Sequence, residues 1–226
     1  MRFFIDSADP GQWERFMKRG WVYGATTNPL ILQREGRRCH FETYAQLVGE
    51  ARALGLHELH IQATGTDAGT IEDCGRSIAG LWDRVVVKVA LTGAGLDAAA
   101  RLRRDAIPVT LTAAYAAHQM IPAMTMEAAY IAPYFGRLME AGEDGFAILE
   151  RMRTMRDRAG SSTRTLVASL RNVDQIERLA AAGQDAFTVS PAVAGDLGPS
   201  EASDTAAEAF ERAATFDHTP SSPERR

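Results

Sequence analysis

The residue with the clearest chemical potential in this sequence is Lys88. Only two of the 25 Lys and Arg residues are lysines, and Lys88 lies in the run Val85–Ala90, the most β-branched segment of the chain. Burying an ammonium group is unfavourable unless the group is paired or loses its proton, so a buried strand would lower the pKa of this lysine. The neutral amine would be a nucleophile toward carbonyl groups, as in enzymes that form Schiff bases.

The same position also fits a lysine without a chemical role. Its stem could pack inside the protein while its amine reaches solvent. The other lysine, Lys18, lies beside Arg19 in a polar helical segment, where a solvated cation is expected. Because lysine is otherwise avoided in this chain, the sequence favours the nucleophile for Lys88.

Polar side chains end several other predicted strands. Asp6 ends the first, where it could hold the amine of Lys88 and move protons, or cap the helix that follows. Gln62, Thr112 and Tyr134 are neutral groups that together could hold one water molecule as a proton relay. Ordinary internal hydrogen bonding is the alternative for these three residues.

Arg137, Ser169 and Arg171 are candidates for an anion site. Arg137 follows the sixth predicted strand, Ser169 ends the seventh, and Arg171 leads into the next helix. A guanidinium group, a hydroxyl group and the N–H groups of a helix start suit a phosphate. The alternative is a set of surface arginines, which carries weight because 23 of the 25 basic residues are arginines.

The elements that must position these residues alternate between β-like and helical patterns. Alternation of this kind is typical of parallel strands joined by helical crossovers. The predicted strands are Phe3–Asp6, Trp21–Thr26, Leu59–Ala63, Val85–Val89, Ile107–Thr112, Ala128–Ala132, Thr165–Ala168 and Ala186–Val189. The predicted helices are Pro10–Arg19, Phe41–Leu54, Ala68–Leu81, Ala94–Arg104, Ala113–Met120, Phe146–Arg158, Val173–Ala182 and Ser203–Ala214.

Eight such units predict an α/β protein with one (β/α)8 TIM barrel of parallel strands and a C-terminal helix. A barrel of this type takes roughly 250 residues, with about 200 near its lower limit, so 226 residues fit one with short loops. We expect the barrel at residues 1–216 and a disordered tail at 217–226. A doubly wound open sheet is the competing architecture, although no G-x-G-x-x-G follows the first strand. Active sites of barrels lie at the C-terminal ends of the strands, where the polar residues above would meet.

Composition excludes several classes of function. The net charge of −4 leaves no basic excess for a nucleic-acid partner, and no apolar run approaches the roughly 18 residues of a membrane span. The opening residues reach a carboxylate too early for a signal peptide, and Cys39 and Cys74 form no disulfide framework, so we expect a cytoplasmic protein. The five histidines show no metal-ligand spacing with one another or with the cysteines, so no metal is predicted.

Five segments of the sequence resemble the small transaldolase family. They are Phe3–Asp6, the T-T-N-P within Gly24–Pro29, the lysine strand Val85–Val89, the A-P-Y-F-G-R of Ala132–Arg137 and the A-S-L-R-N of Ala168–Asn172. The matches run in order from residue 3 to about residue 190. T-T-N-P followed about 60 residues later by a V-K-V strand is specific to this family.

The resemblance implies a class I, Schiff-base barrel enzyme that needs no cofactor. It assigns the imine-forming lysine to Lys88 and its acid–base partner to Asp6. The other roles that it implies are contacts with the hydroxyl groups of the donor sugar for Thr26 and Asn28, and with the phosphate of the acceptor for Arg137, Ser169 and Arg171. It also implies a homo-oligomer, a pentamer or a decamer.

Within the family, the resemblance is to the fructose-6-phosphate aldolase branch. That branch has Gln and Tyr where transaldolases have Glu and usually Phe, and this chain has Gln62 and Tyr134, with Thr112 in place as the third residue that holds the catalytic water. The expected activity is cleavage and formation of fructose 6-phosphate from dihydroxyacetone and glyceraldehyde 3-phosphate.

Some positions depart from this pattern and keep alternatives open. Leu30, Ala90, the run Val109–Leu111 and the pair Arg171-Asn172 are unlike the aldolase branch. The alternatives are a transaldolase, a related aldolase that acts on another anionic or unphosphorylated sugar, and a barrel that binds without turnover.

Overall fold

Eight parallel strands close into a barrel in the computed structural model, which describes residues 1–215. Each strand pairs with the next in the sequence, and β8 pairs with β1. The (β/α)8 barrel predicted from the sequence is therefore confirmed, and the doubly wound sheet is not. The strands are β1 (Arg2–Asp6), β2 (Gly24–Thr26), β3 (Glu58–Gln62), β4 (Val85–Ala90), β5 (Val109–Ala114), β6 (Tyr130–Pro133), β7 (Arg164–Val167) and β8 (Ala186–Val189).

Helices surround the barrel. They are α1 (Pro10–Met17), α2 (Pro29–Arg34), α3 (Phe41–Ala53), α4 (Ala68–Ala79), α5 (Gly93–Arg104), α6 (Met120–Thr125), α7 (Phe135–Glu140), α8 (Gly145–Ala159), α9 (Val173–Ala181), α10 (Pro191–Gly195) and α11 (Glu201–Ala214). The short helices α2, α7 and α10 were not predicted. Two of them begin with proline behind a polar cap, Asn28 for α2 and Ser190 for α10, which is a standard way to start a helix.

The helix predicted at Ala113–Met120 is wrong in position. Ala113 and Ala114 belong to β5, and α6 begins only at Met120, after a 3₁₀ turn. Ala113 has a φ of 60° at a register shift in the pairing of β5 with β6. Alanine has the highest helix propensity, but this preference is small in energy for each residue, and pairing with β6 overrides it here.

Alternation along the strands divides the core into two parts. Outward residues such as Ile61, Val87 and Leu111 are fully buried against the surrounding helices. Inward residues form a second cluster inside the barrel, made by Phe4, Val86, Tyr130, Ala132, Leu166 and Ala186. Because side chains alternate with a period of two, the residues two positions after Phe4 and Val86, Asp6 and Lys88, also face inward, closer to the C-terminal mouth.

The disordered tail predicted at 217–226 lies outside the described residues. Within residues 1–215, no helix combines the length and the apolar character that crossing a membrane would require.

Close approach of β2 and β3 demands a glycine at position 24. A Cβ atom there would lie 2.2 Å from the carbonyl oxygen of Glu58. We expect Gly24→Ala to lower the free energy of unfolding by about 1–3 kcal/mol, the usual cost of overpacking. Urea denaturation measures this.

Gly49 provides the matched control. It lies on the exposed side of α3, and a Cβ atom added there would meet no other atom within 4 Å. Gly49→Ala should raise the free energy of unfolding by about 0.5–1 kcal/mol, because alanine loses less backbone entropy in a helix. A Gly24→Ala protein as stable as the wild type would contradict the packing described here.

Candidate active site

Lys88 lies within β4 and is buried, with only 4% of its surface exposed. Its Cα partners on the neighbouring strands are Gln62 of β3 and Thr110 of β5. Burial lowers the pKa of the Lys88 amine, and the negative charge of Asp6 partly offsets this. The structure therefore places the lysine inside the barrel, rather than with its amine in bulk solvent, in surroundings that favour the neutral nucleophile.

Asp6 ends β1 and belongs to a row of hydrogen-bonded side chains. The hydroxyl of Thr26 lies 2.5 Å from Asp6 Oδ1 and 2.6 Å from the hydroxyl of Thr188. Asp9, not Asp6, caps α1, since its side chain accepts a hydrogen bond from the backbone N–H of Gly11. The helix-capping role that was the alternative for Asp6 is thus filled by Asp9, and the charge of the Asp6 carboxylate acts on Lys88.

Sequence reasoning missed Thr188. This residue is 3% exposed and ends the inward row of β8. The sequence could have indicated Thr188, because it is the one polar residue of an otherwise apolar strand and lies on the same inward face as Ala186, two positions earlier.

The three residues predicted to hold a water molecule lie on both sides of Lys88. The hydroxyl groups of Thr112 and Tyr134 are 3.1 Å apart. Gln62 lies on the other flank, and within residues 1–215 its side chain makes no hydrogen bond, so its amide can serve water or substrate. Burial raises the pKa of Tyr134, which keeps its hydroxyl protonated as a donor.

Asn28 follows β2, and its side chain is partly committed. Its Oδ1 accepts hydrogen bonds of 3.0 Å from the backbone N–H groups of Leu30 and Ile31 at the start of α2. The side-chain NH₂ group remains as a donor. The contact with a donor sugar that was expected for Asn28 would therefore be made by this NH₂ group.

The structure brings Arg137 and Arg171 to the same part of the mouth. They lie around Gly136, where a Cβ would be 2.0 Å from the carbonyl oxygen of Ser169 and 3.1 Å from Arg171 Nε. Ser169 has a left-handed φ of 63°, so its carbonyl turns toward α7. The guanidinium of Arg171 already contacts Glu140 at 2.8 Å, and this pair is about half exposed.

Tyr115 is a second residue that the sequence did not reveal. Arg137 donates a hydrogen bond of 3.3 Å to the Tyr115 hydroxyl, and the guanidinium carbon lies 5.0 Å from the centre of the Tyr134 ring. The two tyrosine rings meet edge to face at 5.7 Å. Arg137 is thus held over the side chains that line the mouth. No sequence signal separates Tyr115, which follows β5 in a loop, from an ordinary surface tyrosine.

Within residues 1–215, no three His, Cys, Asp or Glu side chains are grouped so that they could hold a metal ion. The groups at the mouth of the barrel are an amine, a carboxylate, two guanidinium groups and neutral hydroxyl and amide groups. This set can form an imine with a ketone or an aldehyde and can move protons around it.

Comparison with known proteins gives the family. The transaldolase/fructose-6-phosphate aldolase family matches residues 3–221. A protein named probable transaldolase from Maricaulis maris (strain MCS10) is 32% identical over 210 residues, which cover 93% of this chain and 94% of the relative. Another of that name, from Ruegeria sp. (strain TM1040), is 34% identical over 193 residues, covering 85% and 87% of the two chains. This chain therefore belongs to the transaldolase/fructose-6-phosphate aldolase family.

Proposed function

We propose that this protein is a class I aldolase that cleaves and forms fructose 6-phosphate, with dihydroxyacetone as the nucleophile and glyceraldehyde 3-phosphate as the acceptor. The observation that carries the proposal is the buried amine of Lys88, beside Asp6 and between Gln62 and the Thr112–Tyr134 pair. A desolvated lysine is the nucleophile that this chemistry needs, and the imine replaces any cofactor.

In the cleavage direction, the Lys88 amine attacks the ketone carbon, and the carbinolamine loses water to give an iminium ion. Asp6 accepts the proton of the C4 hydroxyl while the C3–C4 bond breaks and its electron pair moves toward the iminium nitrogen. Glyceraldehyde 3-phosphate leaves with the new carbonyl group. The remaining enamine takes a proton on carbon, and water hydrolyses the imine to release dihydroxyacetone and the free amine.

The neutral residues around Lys88 favour release over transfer. A water molecule held by Gln62, Thr112 and Tyr134 would deliver the proton to the enamine carbon. Because burial raises the pKa of Tyr134, its hydroxyl stays protonated and can hold this water as a hydrogen-bond donor. Once protonated, the three-carbon unit no longer attacks a second aldehyde. Arg137, Ser169 and Arg171 would hold the phosphate of the acceptor, with Arg171 exchanging Glu140 for it. Thr26 and the NH₂ group of Asn28 would contact the hydroxyl groups of the donor.

Transaldolase activity is the second candidate. Relatives 32% and 34% identical to this chain carry the name probable transaldolase, and Arg171-Asn172 resembles that branch. In that reaction the enamine stays unprotonated until an aldose acceptor arrives. A related aldolase for another anionic or an unphosphorylated sugar shares every step at Lys88 and differs only at the arginines.

Residues 1–216 would form the catalytic domain. Assembly into a homo-oligomer follows from the family resemblance, and a cytoplasmic location follows from the cysteine usage.

Trapping with cyanoborohydride in the presence of dihydroxyacetone tests the imine directly. The adduct should form on Lys88, since burial keeps a useful fraction of its amine neutral well below the ordinary lysine pKa. Peptide mass mapping locates the adduct. The matched variant Lys18→Arg should still be labelled, whereas Lys88→Arg should not. A wild-type protein without an adduct on Lys88 would refute the mechanism and leave a barrel that only binds.

Replacing Asp6 by Asn should change the pH dependence of imine formation. The carboxylate raises the pKa of Lys88, so its removal lowers this pKa further and moves the acid limb of the trapping rate to lower pH. Turnover should fall by about 10²–10⁴-fold, the usual contribution of an acid–base group. Asp9→Asn keeps a helix cap on the surface and should leave the acid limb of the trapping rate unchanged. An acid limb that does not move in Asp6→Asn would contradict the proposed interaction of the Asp6 charge with Lys88.

Product analysis separates the two candidate activities. With fructose 6-phosphate alone, the wild type should release free dihydroxyacetone. The variants Gln62→Glu and Tyr134→Phe should release at least about tenfold less, because the protonation relay is altered. If the wild type forms products only after an aldose acceptor is added, the protein is a transferase.

A further inference from the structure

A fully buried histidine, His60, lies inside the barrel and has no part in the chemistry proposed above. Its Nδ1 atom lies 3.0 Å from the Thr110 hydroxyl, and its Nε2 atom lies 3.1 Å from Glu58 Oε2. The rings of Phe4 and Tyr130 pack against the imidazole with centres 4.8 and 4.9 Å away. Both ring nitrogens and the ring position are therefore fixed.

The direction of these hydrogen bonds follows from the charges. Burial alone would raise the pKa of Glu58, but hydrogen bonds from His60 and Tyr130 and the charge of Arg2 outweigh it and hold this pKa below its ordinary value. The ionised Glu58 has no proton to donate, so it accepts the hydrogen bond that His60 Nε2–H donates. Burial lowers the pKa of His60, so the ring is neutral, and its Nδ1 accepts a hydrogen bond from the hydroxyl of Thr110.

The His60–Thr110 hydrogen bond crosses the inner face of β4. His60 is on β3 and Thr110 on β5, the two strands that flank β4, and in the strand register His60 is level with Val86 and Thr110 with Lys88. The contact therefore passes next to Lys88 on the side away from the mouth.

The same two strands carry residues proposed to handle the catalytic water. Gln62 lies two positions after His60, and Thr112 lies two positions after Thr110, each on the inward face. Two residues of a strand span about 6.6 Å, so the His60–Thr110 hydrogen bond, which forms a tie between β3 and β5, lies one repeat below Gln62 and Thr112.

We propose that the His60–Thr110 hydrogen bond sets the distance between Gln62 and Thr112 near Lys88, with Glu58 fixing the orientation of the His60 ring. His60 is then a positioning residue for the protonation step. This inference rests on the proposed function and adds a determinant of that same site. Imine formation depends on the Lys88 amine and on the charge of Asp6, neither of which belongs to the His60–Thr110–Glu58 network, so this step should be little affected by changes in that network. Protonation of the enamine depends on where the water is held, and misplacement by about 1 Å can cost 10²-fold in rate.

The experiment compares imine formation with turnover in variants of the tie. Thr110→Val keeps the shape and removes the donor, whereas Thr110→Ser keeps the hydroxyl. In Thr110→Val, release of dihydroxyacetone from fructose 6-phosphate should fall about 10–100-fold. The rate of cyanoborohydride trapping on Lys88 should stay within about twofold of wild type. Thr110→Ser should restore release.

His60 is tested by a parallel pair of variants. His60→Asn retains an acceptor at the position of Nδ1, whereas His60→Phe retains only the ring shape. His60→Phe should lose release as Thr110→Val does, and His60→Asn should recover part of it. Thr165→Val, a buried threonine on β7 outside this network, is the control and should match the wild type in both assays.

Circular dichroism and thermal unfolding establish that each variant is folded. The inference is overturned if folded Thr110→Val releases dihydroxyacetone at the wild-type rate, or if trapping and release fall by the same factor, since the tie would then support Lys88 itself. These results leave the proposed function intact. A wild-type protein that forms no imine contradicts the proposed function and this inference together.

Discussion

Burial of one amine inside a barrel of parallel strands is the constraint on which this site depends. An ammonium group in such surroundings loses the solvation that it has in water, and the cost is reduced when the proton leaves. The 4% exposure of Lys88 and the direction of its pKa shift express this constraint. Closure of the barrel provides the burial, because every strand has a neighbour on both sides and the helices cover its outer face.

Charge is distributed along the inside of the barrel in a way that suits a neutral amine. The ion pair of Arg2 with Glu58 lies toward the N-terminal end, and the neutral His60 separates it from Lys88. At the opposite end, Asp6 is the one carboxylate whose charge acts on the lysine in the part of the chain that the structure describes. This arrangement limits how far the pKa of the lysine falls while leaving the amine reactive.

Much of this site was predictable from the sequence because strand periodicity and residue type point to the same positions. The alternation of eight strand and helix patterns was enough to predict the barrel. A lysine in a β-branched run and a carboxylate at the end of the first strand were enough to nominate Lys88 and Asp6. The predicted bounds of β8 match the structure, whereas each of the other strands has at least one end that differs by one to three residues. These differences did not matter, because the inward face is set by alternation and not by where pairing stops.

Contacts between residues far apart in sequence were not predictable. His57 and His60, three residues apart, form only a weak local pattern, and the residue that hydrogen-bonds to His60 Nδ1 is Thr110, 50 residues away. Thr188 likewise meets Thr26 across 162 residues. Such pairs depend on barrel closure and on register, and no local pattern carries that information. The helix expected from Ala113 failed for the same reason, since β-pairing outweighed a weak local preference.

The presence of only two lysines makes the central claim directly measurable. In a Lys18→Arg protein labelled with ¹³C at the lysine Cε, the lysine NMR signal comes from Lys88 alone, and its chemical shift reports the protonation of the amine as pH changes. Burial of the amine should bring the midpoint below the ordinary lysine pKa of about 10.4. A midpoint at or above that value would contradict the central claim.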